Sequence, residues 1–138
     1  MAYDLERFLD AQEPVYDRVL DEIQRGRKVS HWMWFIFPQV GGLGSSSMSQ
    51  RYAIASLDEA RAYLAHPVLG ARLRECAGLL LEGVGRSAEH IFGRIDARKL
   101  RSCLTLYHRA APGDSLFGQV LERFYGGVVD DATDELLA

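Results

Sequence analysis

The sequence predicts an all-α fold: one compact bundle of about six or seven helices, with an irregular aromatic segment at residues 31–39. Three observations carry that expectation. Apolar residues recur at intervals of three and four along most of the chain, the spacing that gathers them on one helical face. No stretch shows a persuasive period of two, and neither Asn-Gly nor Asp-Gly marks a hairpin. Prolines and glycines stand where the periodic segments begin and end.

Taken in order, Leu5, Phe8 and Leu9 indicate a short first helix. Pro14 opens a second, with Val15, Tyr16, Val19, Leu20 and Ile23 on one stripe and Gly26 closing it. Trp32 to Phe37 is apolar at every position, so periodicity cannot separate a buried strand from a buried helical turn. Pro38 disfavours helical geometry at Phe37, and the expectation is an irregular segment holding at most a turn of helix. Ser56 with Glu59 forms a capping box for the next helix, which carries Leu57, Ala60 and Leu64. His66-Pro67 breaks the pattern, and Pro67 takes the first position of a longer helix whose Leu69, Leu73, Cys76 and Leu80 share a face. Gly83 and Gly85 end it. A turn capped by Ser87 follows, and Asp96 is the expected N-cap of a helix running through Ala110. Asp114 caps another, with Leu116, Phe117, Val120, Leu121, Phe124 and Tyr125 inward and Gly126-Gly127 at its end. Thr133 to Leu137 reads as a last, frayed turn.

At 138 residues the chain is expected to form a single helical domain over 1–138. A chain of that size buries roughly two thirds of its unfolded surface, so its stability requires neither metal nor disulfide. Hydrophobic residues make up 48% and charged residues 25%, a globular composition. The net charge of −3 gives no general pull toward nucleic acid or anionic lipid, and neither partner is expected. MAYDLERFLD lacks the basic and apolar regions of a leader, and the apolar run at 32–37 is far too short to cross a bilayer. A cytoplasmic location is the expectation. Cys76 and Cys103 both fall in apolar helical patterns and read as buried thiols; with no CxxC and no HExxH, no metal or cofactor is expected.

Chemistry could reside in three places. The stretch SHWMWFIFPQ sets four aromatic rings beside His31, two indole N–H groups and Gln39. Aromatics on this scale are usually core anchors. The polar punctuation is also how small-molecule pockets are lined, so Trp32, Trp34, Phe37 and Gln39 are candidate ligand contacts. GGLGSSS lacks the Lys of a Walker loop; its simplest meaning is a surface loop, and its narrower one an anion nest built on Gly42 and Gly44 with Arg51 a turn later. On the Asp96–Ala110 helix, Lys99 falls at the edge of the apolar face near Ser102. It could snorkel, bind an anion or, if desolvated, act as base or nucleophile. Arg101 and Thr105 belong to a solvated face unless another helix covers them. Glu59, Glu75, Glu82 and Glu89 are expected on exposed faces, leaving His31 and Lys99 as the least implausible catalytic groups.

The segments DLERFLDAQ, SHWMWFIFPQ with GLG, YAIASLDEARAYLAHPVLGARLRE and IFGRIDARKLRSCLTLYHRA resemble domain-of-unknown-function family 1810, small bacterial proteins sometimes labelled calpastatin. The likeness spans nearly the whole chain. It implies a mainly helical fold and supplies no catalytic residues. The calpastatin label would imply protease inhibition, but no stretch resembles a calpain-binding repeat. Tyr107-His108 departs from the family pattern, so the resemblance gives His108 no role. Three readings follow. The chain is a hydrolase or transferase acting on a nucleotide-like anionic molecule, a ligand-binding or sensor module using the same pocket, or a protein–protein adaptor exposing the aromatic segment. Oligomeric state is not legible in the sequence.

Overall fold

In the computed structural model, residues 3–83 and 85–138 are described; Met1 and Ala2, at the head of the segment read above as no leader, and Val84, between the two glycines, lie outside them. The fold is all-α. Nine helices occur among the described residues: α1 (Glu6–Gln12), α2 (Tyr16–Arg25), α3 (Met33–Ile36), α4 (Ser47–Arg51), α5 (Leu57–Ala65), α6 (Leu69–Glu82), α7 (Ala88–Ala110), α8 (Leu116–Tyr125) and α9 (Asp131–Leu137). The excess over six or seven comes from α3 and α4, single turns too short to show a period, and from α9.

The predicted boundaries mostly hold because their chemistry is local. Ser56 Oγ accepts the Glu59 N–H, and the Glu59 carboxylate returns to the Ala55 N–H at 2.7 Å, which starts α5. His66 Nδ1 accepts from the Val68 and Leu69 N–H groups, so the histidine before Pro67 caps α6. Asp114 accepts the Leu116 N–H at the head of α8. Gly26 and Gly126 take the left-handed conformation that ends α2 and α8.

Three expectations change. The break before the long helix lies at Gly93, with φ 80° and ψ 165°, so Asp96 sits inside the first turn after the break rather than capping it. Residues 133–137 are no frayed turn: Asp130 caps α9 through the Thr133 N–H, and α9 packs on α7. Glu59 is buried rather than exposed and pairs with Arg7 at 3.2 Å.

Helices α5, α6, α8 and α7 pack in a ring, with α2 against α6, α1 against α3, and both α3 and α9 against α7. At the centre of α7, Leu100, Cys103, Leu104, Leu106 and Tyr107 are wholly enclosed. Thr105 is covered after all, and Arg101 is partly so. Arg101 donates to Val128 O and Val129 O, and Thr105 Oγ1 accepts the Asp130 N–H, tying down the segment that leads into α9. Both cysteines are free and buried, as expected. No helix is long and apolar enough to cross a membrane among the described residues.

Candidate functional site

Everything around the aromatic segment begins at Glu22, on the last turn of α2. Its buried carboxylate accepts the Val29 and Ser30 N–H groups, the Ser30 hydroxyl and the Trp32 indole N–H, at 2.7–2.9 Å. Burial alone pushes the carboxyl upward, but these four donors outweigh it and hold the pKa down at about 2. Alternate residues of Ser30-His31-Trp32 therefore face Glu22, and His31 is left exposed between them. Trp32 then packs edge-on to Phe92 and tilted to Phe37 inside the core.

A second cluster joins α3 to α7. Asp96 lies between two ammonium groups, 2.8 Å from Lys28 Nζ and 3.3 Å from Lys99 Nζ. Each lysine also covers an indole: Lys28 Nζ is 5.0 Å from the Trp32 ring centre, and Lys99 Nζ is 4.4 Å from that of Trp34. Such cation–π contacts hold the ammonium over the ring. Lys99 thus spans the polar edge and the apolar wall that its helical position predicts, with its side chain 21% exposed.

The turn after α3 completes the arrangement. Ile54 N–H donates to Gln39 O and Gly41 N–H to Ile54 O, a two-residue parallel bridge that pins residues 39–41 beside Tyr52. The outcome is a crevice lined by Trp34, Phe37, Gln39, Gly42, Gly44, Ser49, Tyr52 and Lys99, with Met33 and Val40 behind them. It is nearly shut. Its accessible volume of about 10 Å³ is what one water needs.

Six of the sequence-selected residues line this crevice: Trp34, Phe37, Gln39, Gly42, Gly44 and Lys99. The other four are elsewhere. Trp32 is 1% exposed and committed to Glu22. Ser102 is buried and turned to the Arg98 carbonyl and the Asp130 carboxylate. Arg51 lies 5.4 Å over the Tyr52 ring and faces a groove shared with Asp4, Arg7 and Asp10. His31 is on the surface outside the crevice. The aromatic run offers no exposed hot spot either, since Trp32, Phe35 and Phe37 are buried and Trp34 is only partly exposed.

Sequence reasoning missed Glu22, Lys28 and Asp96 as partners. The Asp96–Lys99 spacing of three was a visible helical pairing signal. Nothing local marks Glu22 or Lys28, because their partners are brought to them by the chain reversal after Gly26. Among the described residues, no group of three or more His, Cys, Asp or Glu side chains is placed to hold a metal ion. Burial pushes the Cys76 thiol up to about 12 and Cys103 well above its usual range, so neither is a poised nucleophile.

The model of a family described as "Protein of unknown function (DUF1810)" matches residues 2–137. Among solved structures, the conserved hypothetical protein Rv1873 from Mycobacterium tuberculosis is similar at 52% identity and a TM-score of 0.96, over 98% of this chain and 96% of that one. No curated protein matches the chain.

Proposed function

The chain belongs to the DUF1810 family, whose description names no activity, and on that premise we propose that it is a binding module for a small anionic ligand bearing a flat ring, nucleotide-like in character. The ligand site is the crevice between α3, residues 39–44 and α7. Lys99 supplies the charge, Trp34 a ring face, and Gln39 an amide. Gly42 and Gly44 complete the lining, with Leu136 and Ser49 packed against the sides a Cβ would occupy. What supports the reading is the Lys99 ammonium held 4.4 Å over Trp34, at the mouth of a crevice lined by the other selected residues.

A volume of about 10 Å³ admits no such ligand, so binding requires residues 41–49 to move away from α7. A hydrolase or transferase reading has less beneath it. No histidine or carboxylate lines the crevice, and the hydroxyls there belong to Ser49 and Tyr52. An oxyanion could be held; a general acid–base pair is not at hand.

A thermal-shift titration with adenosine phosphates and sugar phosphates tests the proposal. A ligand at a hundred times its Kd stabilises the fold by about 2.7 kcal/mol, a rise of several degrees at this size. The shift should vanish in Trp34→Ala and in Lys99→Ala. If both variants fold and keep the wild-type shift, or if no ligand of this class shifts the wild type, the crevice is not the site.

A further inference from the structure

Independently of that crevice, we infer that the groove between α7 and the end of α8 binds a phosphate monoester carried on a flat aromatic group. Arg94, Arg98 and Arg101 recur at intervals of four and three and so share one stripe of α7, beginning immediately after the Gly93 break. Facing them are Phe124 and Tyr125, with Ala97 between and Glu89 at one end. The groove has an accessible volume of about 460 Å³. That lies inside the roughly 300–1,000 Å³ range of small-ligand sites.

The walls are fixed, and two of the three charges, Arg94 and Arg98, are free. The Tyr125 hydroxyl donates to the Ala97 carbonyl, which sets the ring against α7. Arg101 donates to Val128 O at 2.9 Å and Val129 O at 2.7 Å, leaving Nη1 for a ligand. Arg94 and Arg98 are exposed, and among the described residues neither makes a side-chain hydrogen bond or ion pair. Elsewhere on the surface Arg25, Arg61, Arg72, Arg74 and Arg109 each face a carboxylate. Arg18, Arg27 and Arg51 likewise pair with no carboxylate among the described residues. What is particular to this groove is that its unpaired guanidinium groups, Arg94 and Arg98, share one stripe of a helix and one groove wall.

Three guanidinium groups against the single carboxylate of Glu89 leave a surplus of two positive charges, in a chain whose net charge is −3. A phosphate monoester carries about −1.5 to −2 at neutral pH, with oxygens that guanidinium forks engage two at a time. The partly exposed Phe124 and Tyr125 rings, with the Arg123 and Arg101 guanidinium groups 5.3 and 5.9 Å from their centres, give the ester's aromatic group an apolar surface to pack against. The size of the groove favours a small molecule over a protein partner.

The test is an amide NMR titration of the full chain with phenyl phosphate, with inorganic phosphate as comparator. The expected result is shifts centred on residues 87–89, 94–101 and 124–129, and binding roughly fivefold or more tighter for phenyl phosphate than for inorganic phosphate, because only the ester has a ring to pack there. The double variant Arg94→Gln with Arg98→Gln, both surface positions, should weaken phenyl phosphate by about tenfold or more through loss of two charge-assisted donors. Glu89→Gln should tighten it by roughly twofold or more by removing the one opposing charge. Shifts centred on residues 34–44, equal affinity for the two phosphates, or an unchanged affinity in the double variant would each overturn the assignment.

Discussion

At Glu22 four donors converge on one buried carboxylate that pairs with no basic group among the described residues, so its hydrogen bonds alone keep it ionised. Its pKa of about 2 lies below the unfolded value near 4.5. A depressed carboxyl contributes stability that is fully present above the unfolded pKa and is lost as pH falls through the window from about 4.5 to about 2. The shift corresponds to a contribution on the order of 3 kcal/mol at neutral pH. Glu22→Gln should therefore destabilise the fold by roughly 2–3 kcal/mol at pH 7, since its amide NH₂ would meet donors. The gap between variant and wild type should narrow by pH 3. Urea unfolding at the two pH values, followed by tryptophan fluorescence, reads both; an equal gap at both pH values would refute the ionic account. The cysteines give a second check. With Cys76 pushed up to about 12 and both thiols buried, neither should react with a thiol reagent in the native protein, and both should in urea.

Between elements, the decisive joints are made by glycines and by caps whose partners are distant. Gly93 occupies a backbone region essentially closed to other residues, and nothing crowds the position a side chain would take. Gly93→Ala should therefore cost about 1–3 kcal/mol through backbone strain alone, seen as a lower urea midpoint with an unchanged slope. Gly70 is confined for the opposite reason: a Cβ there would lie 2.1 Å from the Leu64 carbonyl oxygen, so α5 and α6 meet through its missing side chain. At the other end of the chain, the Asp130 carboxylate accepts from Ser102 Oγ, the Thr133 N–H and Thr133 Oγ1. Asp130→Ala should cost roughly 2 kcal/mol and raise amide exchange through α9 ahead of the rest, because cap and docking are lost together. Arg109 and Asp134 reinforce that docking, with two hydrogen bonds at 2.9 Å that hold the Asp134 carboxyl below its usual range.

Over the whole molecule, one hydrophobic cluster runs from Phe8 in α1 to Leu121 in α8 and includes α3 and the segment around Ile54. We propose that the chain unfolds as one unit, the single domain its length suggests: circular dichroism and tryptophan fluorescence should report the same urea midpoint. Separate midpoints would divide it. The proposed opening of the crevice also belongs to this scale. A side chain on Gly42 would meet Leu136 at about 3.0 Å, so α9 rests against the segment that must move. Leu136→Ala should ease that movement and tighten a crevice ligand, while leaving the groove lined by Arg94 and Arg98 unaffected.

The sequence by itself determined the helices whose signals are local: the Ser56–Glu59 box, the His66-Pro67 start, the Gly26 and Gly126 stops, and the inward stripes of α6 and α8. Capping and periodicity act within a turn or two of chain, so they can be read before anything is folded. The family resemblance was legible too, because it rests on stretches of the sequence itself, SHWMWFIFPQ above all. Only the tertiary structure decided the rest. Trp32 became core and Trp34 a crevice wall because a carboxylate on α2 claims every second residue of Ser30-His31-Trp32. Ser102 was buried and Arg101 tied to the Val128 and Val129 carbonyls because α9 and its leading segment came to lie over a face that looked solvated. Lys99 met Trp34 because α3 packs on α7. Each of these is a contact between groups far apart in the chain, and charge, burial and hydrogen-bond partners at such contacts are set by which surfaces meet.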